Sequence, residues 1–135
     1  MHLTGRCYCG DIHYEVDGDP ILKVQCHCRE CQYLSGGGPN YTIGMPDEKF
    51  KFTKGSPKQF TRSDIANAVT REFCPRCGTQ LITRASGLPN VVLIKVGTLD
   101  NPAVFEQPEI AIFTVDKQGF HHIPEHVQSF EGLPG

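Results

Sequence analysis

The segment Phe73-Cys74-Pro75-Arg76-Cys77-Gly78 has the form of a zinc knuckle. Two residues between the cysteines let a tight turn aim both sulfurs at one ion, and Gly78 tolerates the positive φ that such a turn often requires. A tetrahedral ion needs two further ligands. Cys7-Tyr8-Cys9-Gly10 is the natural source: alternate residues of an extended segment share a face, and Gly10 permits a sharp bend. Closing a site of Cys7, Cys9, Cys74 and Cys77 would clip the N-terminal strand to the middle of the chain. Apparent energies of zinc sites, about 10–16 kcal/mol, rival a domain's whole net stability of about 5–15 kcal/mol, so we expect this site to be structural.

The other three of the seven cysteines lie within Cys26-His27-Cys28-Arg29-Glu30-Cys31. Three local thiolates can hold an ion without long-range closure, which gives an expectation of two Zn²⁺ per chain. The fourth position of this second zinc either stays open for water or substrate, or is filled by His121, His122, His126 or a carboxylate as a second staple. His27 faces away from the ion if Cys26 and Cys28 face it, and its expected role is a hydrogen bond in the shell beneath. An open position favours a particular chemistry. Zinc stabilises thiolate over thiol, so a substrate sulfur bound there is a nucleophile near neutral pH, able to attack a small electrophile such as an aldehyde. Iron also accepts thiolates, but no redox partner motif accompanies them, which favours zinc.

Disulfides are the rival use of cysteine. An odd count leaves one thiol unpaired, and MHLTGRCYCG has no apolar core of the kind a secretory signal carries. The longest apolar run, VVLI at 91–94, is too short to span a bilayer. We therefore expect a protein of the reducing cytoplasm. With 135 residues, the chain fits a single domain, 1–135, that buries about two-thirds of its unfolded surface. A net charge of −2 and the lack of a Lys/Arg run disfavour nucleic acid as a partner.

Period-two patterning dominates and predicts a mainly β domain. Expected strands are 11–16, 21–25, 40–44, 48–53, 58–62, 69–73, 79–84, 91–97 and 109–115, with VVLIKV read as a buried strand and one short helical turn at Glu30–Leu34. Gln32 to Gly38, QYLSGGG, would let a backbone approach a ligand, its N–H groups cupping a carboxylate, unless it is an ordinary loop. Arg62, Arg71 and Lys95 are candidate partners for a substrate carboxylate, although solvated surface charge is the default for each.

Three motifs occur in order: Gly5-x-Cys7-x-Cys9-Gly10; Cys26-His27-Cys28-x-x-Cys31 followed by Ser35-Gly36; and Arg71-x-Phe73-Cys74-x-x-Cys77-Gly78. Together they resemble the glutathione-dependent formaldehyde-activating enzyme family, which includes the centromere protein V relatives, from Gly5 to about Pro134. The resemblance implies a β-tent of antiparallel sheets organised around zinc-binding cysteine clusters. It also implies structural zinc on Cys7, Cys9, Cys74 and Cys77, and catalytic zinc on Cys26, Cys28 and Cys31. The implied reaction is addition of glutathione to formaldehyde, giving S-(hydroxymethyl)glutathione, a carbon–sulfur lyase in the reverse sense. The chain departs from the family at Ala111-Ile112-Phe113, where relatives often carry a His-Ile-aromatic strand, and in having Phe120 and no Trp. A non-catalytic zinc module that binds a protein partner, and a redox or metal-buffering role for the thiolates, are the competing readings.

Overall fold

The computed structural model describes residues 1–135. Its strands are β1 (His2–Arg6), β2 (His13–Asp17), β3 (Leu22–Cys26), β4 (Asn40–Pro46), β5 (Phe50–Lys54), β6 (Lys58–Thr61), β7 (Thr70–Phe73), β8 (Gln80–Arg84), β9 (Val91–Lys95), β10 (Ile110–Ile112) and β11 (Gln128–Ser129). The one α-helix, α1 (Arg29–Ser35), follows β3, and no helix is long and apolar enough to cross a membrane. Strands β1, β2 and β5 form a small sheet in that order; the large sheet runs β11-β10-β3-β4-β9-β8-β7-β6. The fold is mainly β, as the periodicity predicts. Pairing is antiparallel except around β10, which lies parallel to both β3 and β11.

One apolar core joins the two sheets. Leu3, Tyr14 and Val16 from the small sheet meet Ile43, Met45, Ile82, Val92 and Ile94 from the large one. Register explains the match: Ile43 pairs with Ile94, and Ile94 with Ile82, so one cross-strand row supplies three branched side chains to the same face. Each such side chain, fully buried, contributes about 1.5–3 kcal/mol. The opposite face of the large sheet carries Val24, Cys26, Asn40, Thr42 and Lys95, with a second, smaller apolar cluster of Val24, Cys26 and Cys31.

β1 has no counterpart among the expected strands. Its inward positions are Leu3 and Gly5, and a glycine is invisible to a hydrophobic pattern. Gly5 is there because Tyr14, its partner on β2, lays its ring across the position and hydrogen-bonds Thr98 Oγ1 at 2.7 Å. A Cβ on Gly5 would sit 2.5 Å from the Thr98 carbonyl oxygen and nearer still to the Tyr14 hydroxyl. Gly5→Ala is therefore expected to cost about 1–3 kcal/mol by overpacking. The measurement is the midpoint of urea unfolding, and a midpoint equal to that of the parent would contradict the account.

The last expected strand, 109–115, shortens to β10 because Phe113 takes a left-handed conformation and a 3₁₀ turn at Thr114–Asp116 follows. Residues beyond it return along β10: Phe113 N–H donates to Gly132 O, and Phe130 N–H to Ala111 O. The C-terminal segment thereby closes the edge of the large sheet beside α1.

Candidate metal centres

The turn between β1 and β2 and the turn between β7 and β8 bring four sulfurs together. Those of Cys7, Cys9, Cys74 and Cys77 all lie within 4.8 Å of one another. Cys7 and Cys9 are 3.6 Å apart, and Cys9 and Cys74 are 3.7 Å apart. A zinc ion at about 2.3 Å from each sulfur requires tetrahedral edges of roughly 3.8 Å, so the donor set fits the ion in number, type and spacing. Both turns are shaped alike. Cys7 N–H donates to Ile12 O and Cys74 N–H to Thr79 O, both at 3.0 Å, while Gly10 and Gly78 take φ of +83° and +77° and donate back to the Cys7 and Cys74 carbonyls. Cys7 and Cys74 are fully buried and belong to the main core, so this centre is continuous with the packing that joins the sheets.

The second cluster is built by β3 and α1. Cys26 ends β3, Cys28 is the helix N-cap, and Cys31 lies in the first turn. The Cys28 sulfur accepts the Cys31 N–H at 3.3 Å, one of the N–H groups that a helix start leaves without a partner. Asn40 Nδ2, opposite Cys26 on β4, points at Cys31 Sγ at 3.8 Å. The three sulfurs lie within 4.8 Å of one another, which suits three corners of a zinc tetrahedron, and no histidine or carboxylate supplies a fourth ligand atom within that span. The neighbouring Cys26 and Cys31 thiols, with the Arg71 charge adding to their effect, hold the Cys28 thiol well below its ordinary range.

The histidines offered by the sequence as fourth ligands are engaged elsewhere. His121 Nε2 donates to Gly37 O at 2.8 Å, so its Nδ1 is the acceptor for Gln118 N–H at 3.2 Å and for His27 Nδ1–H at 2.9 Å. Donor–acceptor matching thus assigns both tautomers and leaves His27 Nε2 as a buried acceptor without a partner. Burial, with the neighbouring His121 and Lys117, holds the His27 pKa below its usual value. His27 is fully buried and is no part of the cluster, in the supporting position its spacing predicts. His122 contributes its backbone carbonyl to Gln25 Nε2 at 2.6 Å, and His126 lies 2.9 Å from Gln107 Oε1. Gln32, read in the sequence only as the start of the QYLSGGG segment, is a helical clamp: its Nε2 donates to both His27 O and Asp116 O at 2.9 Å, fastening the C-terminal segment to the cysteine helix.

Two expectations about charge and loop chemistry are corrected. The N–H groups of Gly36 and Gly37 both turn back to the Gln32 carbonyl and close the helix, so they do not cup a carboxylate. Arg62 is a surface charge paired with Asp64, as the default has it, but Arg71 and Lys95 are not solvated. The Arg71 side chain is 12% exposed and meets Glu30 at 3.1 Å. Lys95 is 8% exposed; burial pushes its ammonium down to about 8, opposed by the Cys31, Cys26 and Cys28 thiols and reinforced by Arg71. The signal was present in the sequence: a lysine inside VVLIKV goes where a buried strand takes it.

Comparison with known proteins agrees with this geometry. The crystal structure of a Rhodobacter sphaeroides protein superposes with a TM-score of 0.62 at 17% identity, covering 78% of this chain and 96% of that one, which shows a shared fold. The sequence profile of the glutathione-dependent formaldehyde-activating enzymes matches residues 2–116, a span that contains all seven cysteines and both clusters. With most of its length inside that match, the chain belongs to the glutathione-dependent formaldehyde-activating enzyme family.

Proposed function

We propose that this chain is a zinc-dependent carbon–sulfur lyase of the S-(hydroxymethyl)glutathione synthase type, joining glutathione to formaldehyde in the cytoplasm. One observation carries the reading: the four-cysteine cluster is complete, whereas the three-cysteine cluster has no fourth protein donor. Family membership supplies the substrates. Cys26, Cys28 and Cys31 are the ligands of the catalytic zinc, and Cys7, Cys9, Cys74 and Cys77 hold the structural one. Zinc bound by three thiolates would lower the pKa of an incoming thiol, so that it enters as thiolate near neutral pH.

The chain's own residues fix the reacting geometry. Asn40 and the Cys31 N–H steady two of the three sulfurs, and the His27–His121–Gly37 and Gln32–Asp116 bonds hold the helix that bears them. Thiolate sulfur then forms a bond to the carbonyl carbon, and the π pair of the carbonyl moves to oxygen. The proton lost by the thiol returns to that oxygen, so glutathione and formaldehyde combine with no atom left over.

Elemental analysis and calorimetry test the proposal together. We expect two zinc ions per chain and one glutathione bound per zinc-loaded chain. One zinc that persists after added zinc and reductant, with no glutathione binding, would replace the enzyme by a non-catalytic zinc module.

A further inference from the structure

The face of the large sheet that carries Cys26 is buried yet polar. By register, Arg71 on β7 lies beside Thr83 on β8, and Thr83 beside Leu93 on β9; Lys95, two residues on, lies beside Thr42 on β4. Asn40, two residues from Thr42, pairs with Cys26. Alternation along each strand puts all of these on one face. Asn40, Thr42, Thr83 and Lys95 are each at most 8% exposed. Two of the polar groups are uncommitted within the chain. Thr83 Oγ1 is buried without a hydrogen bond, and the Lys95 ammonium takes part in none of the chain's ion pairs, whereas Arg71 is paired with Glu30.

A buried ammonium without an anion is unfavourable, and proteins retain such a group where something else supplies negative charge. Around Lys95 the supply is local: its electrostatic neighbours are Cys31, Cys26 and Cys28, the sulfurs at which the thiol substrate is received. When a thiolate adds to an aldehyde, negative charge moves from sulfur to an oxygen two bonds away. A fixed donor beside the sulfurs meets that charge on a largely buried face, where such interactions are stronger than in open water. Arg71 is less suited, since its guanidinium is committed to Glu30.

Resting on the lyase reading above, we propose that Lys95 is a catalytic residue whose ammonium donates a hydrogen bond to the aldehyde oxygen and holds the oxyanion that forms as the carbon–sulfur bond is made. Sulfur provides the bonding pair, the carbonyl π pair becomes the oxyanion, and Lys95 keeps its proton. The oxyanion is neutralised through solvent by the proton that the thiol released, giving the hydroxymethyl thioether.

The test uses zinc-loaded full-length protein and two thioether probes that differ near sulfur in an anion alone, S-(carboxymethyl)glutathione and S-methylglutathione. Wild type is expected to prefer the carboxymethyl probe by about tenfold or more, the carboxylate standing in for the oxyanion. Lys95→Met should bind both equally, keep its zinc content and circular dichroism, and lose about 10²–10³-fold in kcat with the KM for glutathione little changed. Lys95→Arg, which keeps the charge, should restore part of the preference. A preference that survives in Lys95→Met, or none in wild type, overturns the role of Lys95 alone when glutathione itself still binds. No binding of glutathione to the zinc-loaded wild type overturns the lyase reading and this inference with it.

Discussion

Cys74→Ser is expected to leave the chain unfolded at room temperature, with far fewer than two zinc ions bound and no cooperative thermal transition in the far-ultraviolet circular dichroism. The magnitude follows from comparing two energies. A structural zinc site is worth about 10–16 kcal/mol in apparent terms, while the net stability of a domain is about 5–15 kcal/mol, so loss of one ligand from four removes a large part of the whole. Cys74 makes the case sharper than its neighbours do. Its sulfur is fully buried, it receives the Cys77 N–H, and it sits 3.7 Å from Cys9, 65 residues earlier in the chain. The centre therefore closes the loop that brings the small sheet against the large one, and without it that closure rests on apolar packing and a few hydrogen bonds, Tyr14 to Thr98 among them. A serine hydroxyl in this place would also be a poor zinc ligand in an apolar setting. Chelator should produce the same loss in wild type, and added zinc should reverse it. A Cys74→Ser protein that unfolds cooperatively near the wild-type temperature would mean that the four cysteines are not what holds the two sheets together.

The two centres were legible in the sequence because their spacing is local. Cys-x-Cys and Cys-x-x-Cys each fix a turn, and the structure brings Cys7 and Cys9 to Cys74 and Cys77 as the pairing of motifs required. Strand positions were legible wherever apolar residues alternate, and α1 was visible as the turn after Cys28. What escaped was whatever leaves no mark on composition or on local spacing. β1 escaped because Gly5 fills an inward position with no side chain, and the parallel pairing of β10 because strand direction leaves no mark on composition. The meeting of His27 with His121, 94 residues apart, depends on the path of the C-terminal segment past α1. Lys95 was misread for a different reason. Lysines are almost never buried unless paired, so the default outweighed the apolar run around it, although both readings of the same six residues cannot hold. Such a conflict between local pattern and burial is where a functional group is to be sought.

Cys28→Ser is expected to behave in the opposite way to Cys74→Ser: a folded protein that retains about one zinc per chain, binds no glutathione, and turns over slower by about 10³-fold or more, equivalent to about 4 kcal/mol of barrier. The structural half of this expectation comes from the helix. Cys28 is the N-cap of α1, and its side chain accepts the Cys31 N–H; serine is among the preferred residues at that place, so the cap survives the exchange. Alanine would remove it and cost about 1 kcal/mol besides, which makes serine the cleaner probe. The cluster packs with Val24 in the smaller core, apart from the residues that join the two sheets, so the main core does not depend on it. The chemical half comes from donor count. With three thiolates and no further protein ligand, losing one leaves two, too few to hold zinc against water and free thiols. Zinc content, glutathione calorimetry and thermal unfolding on the one variant separate the possibilities. Glutathione affinity retained in folded Cys28→Ser would remove the three-cysteine centre from the reaction, and unfolding as complete as that of Cys74→Ser would make both centres structural.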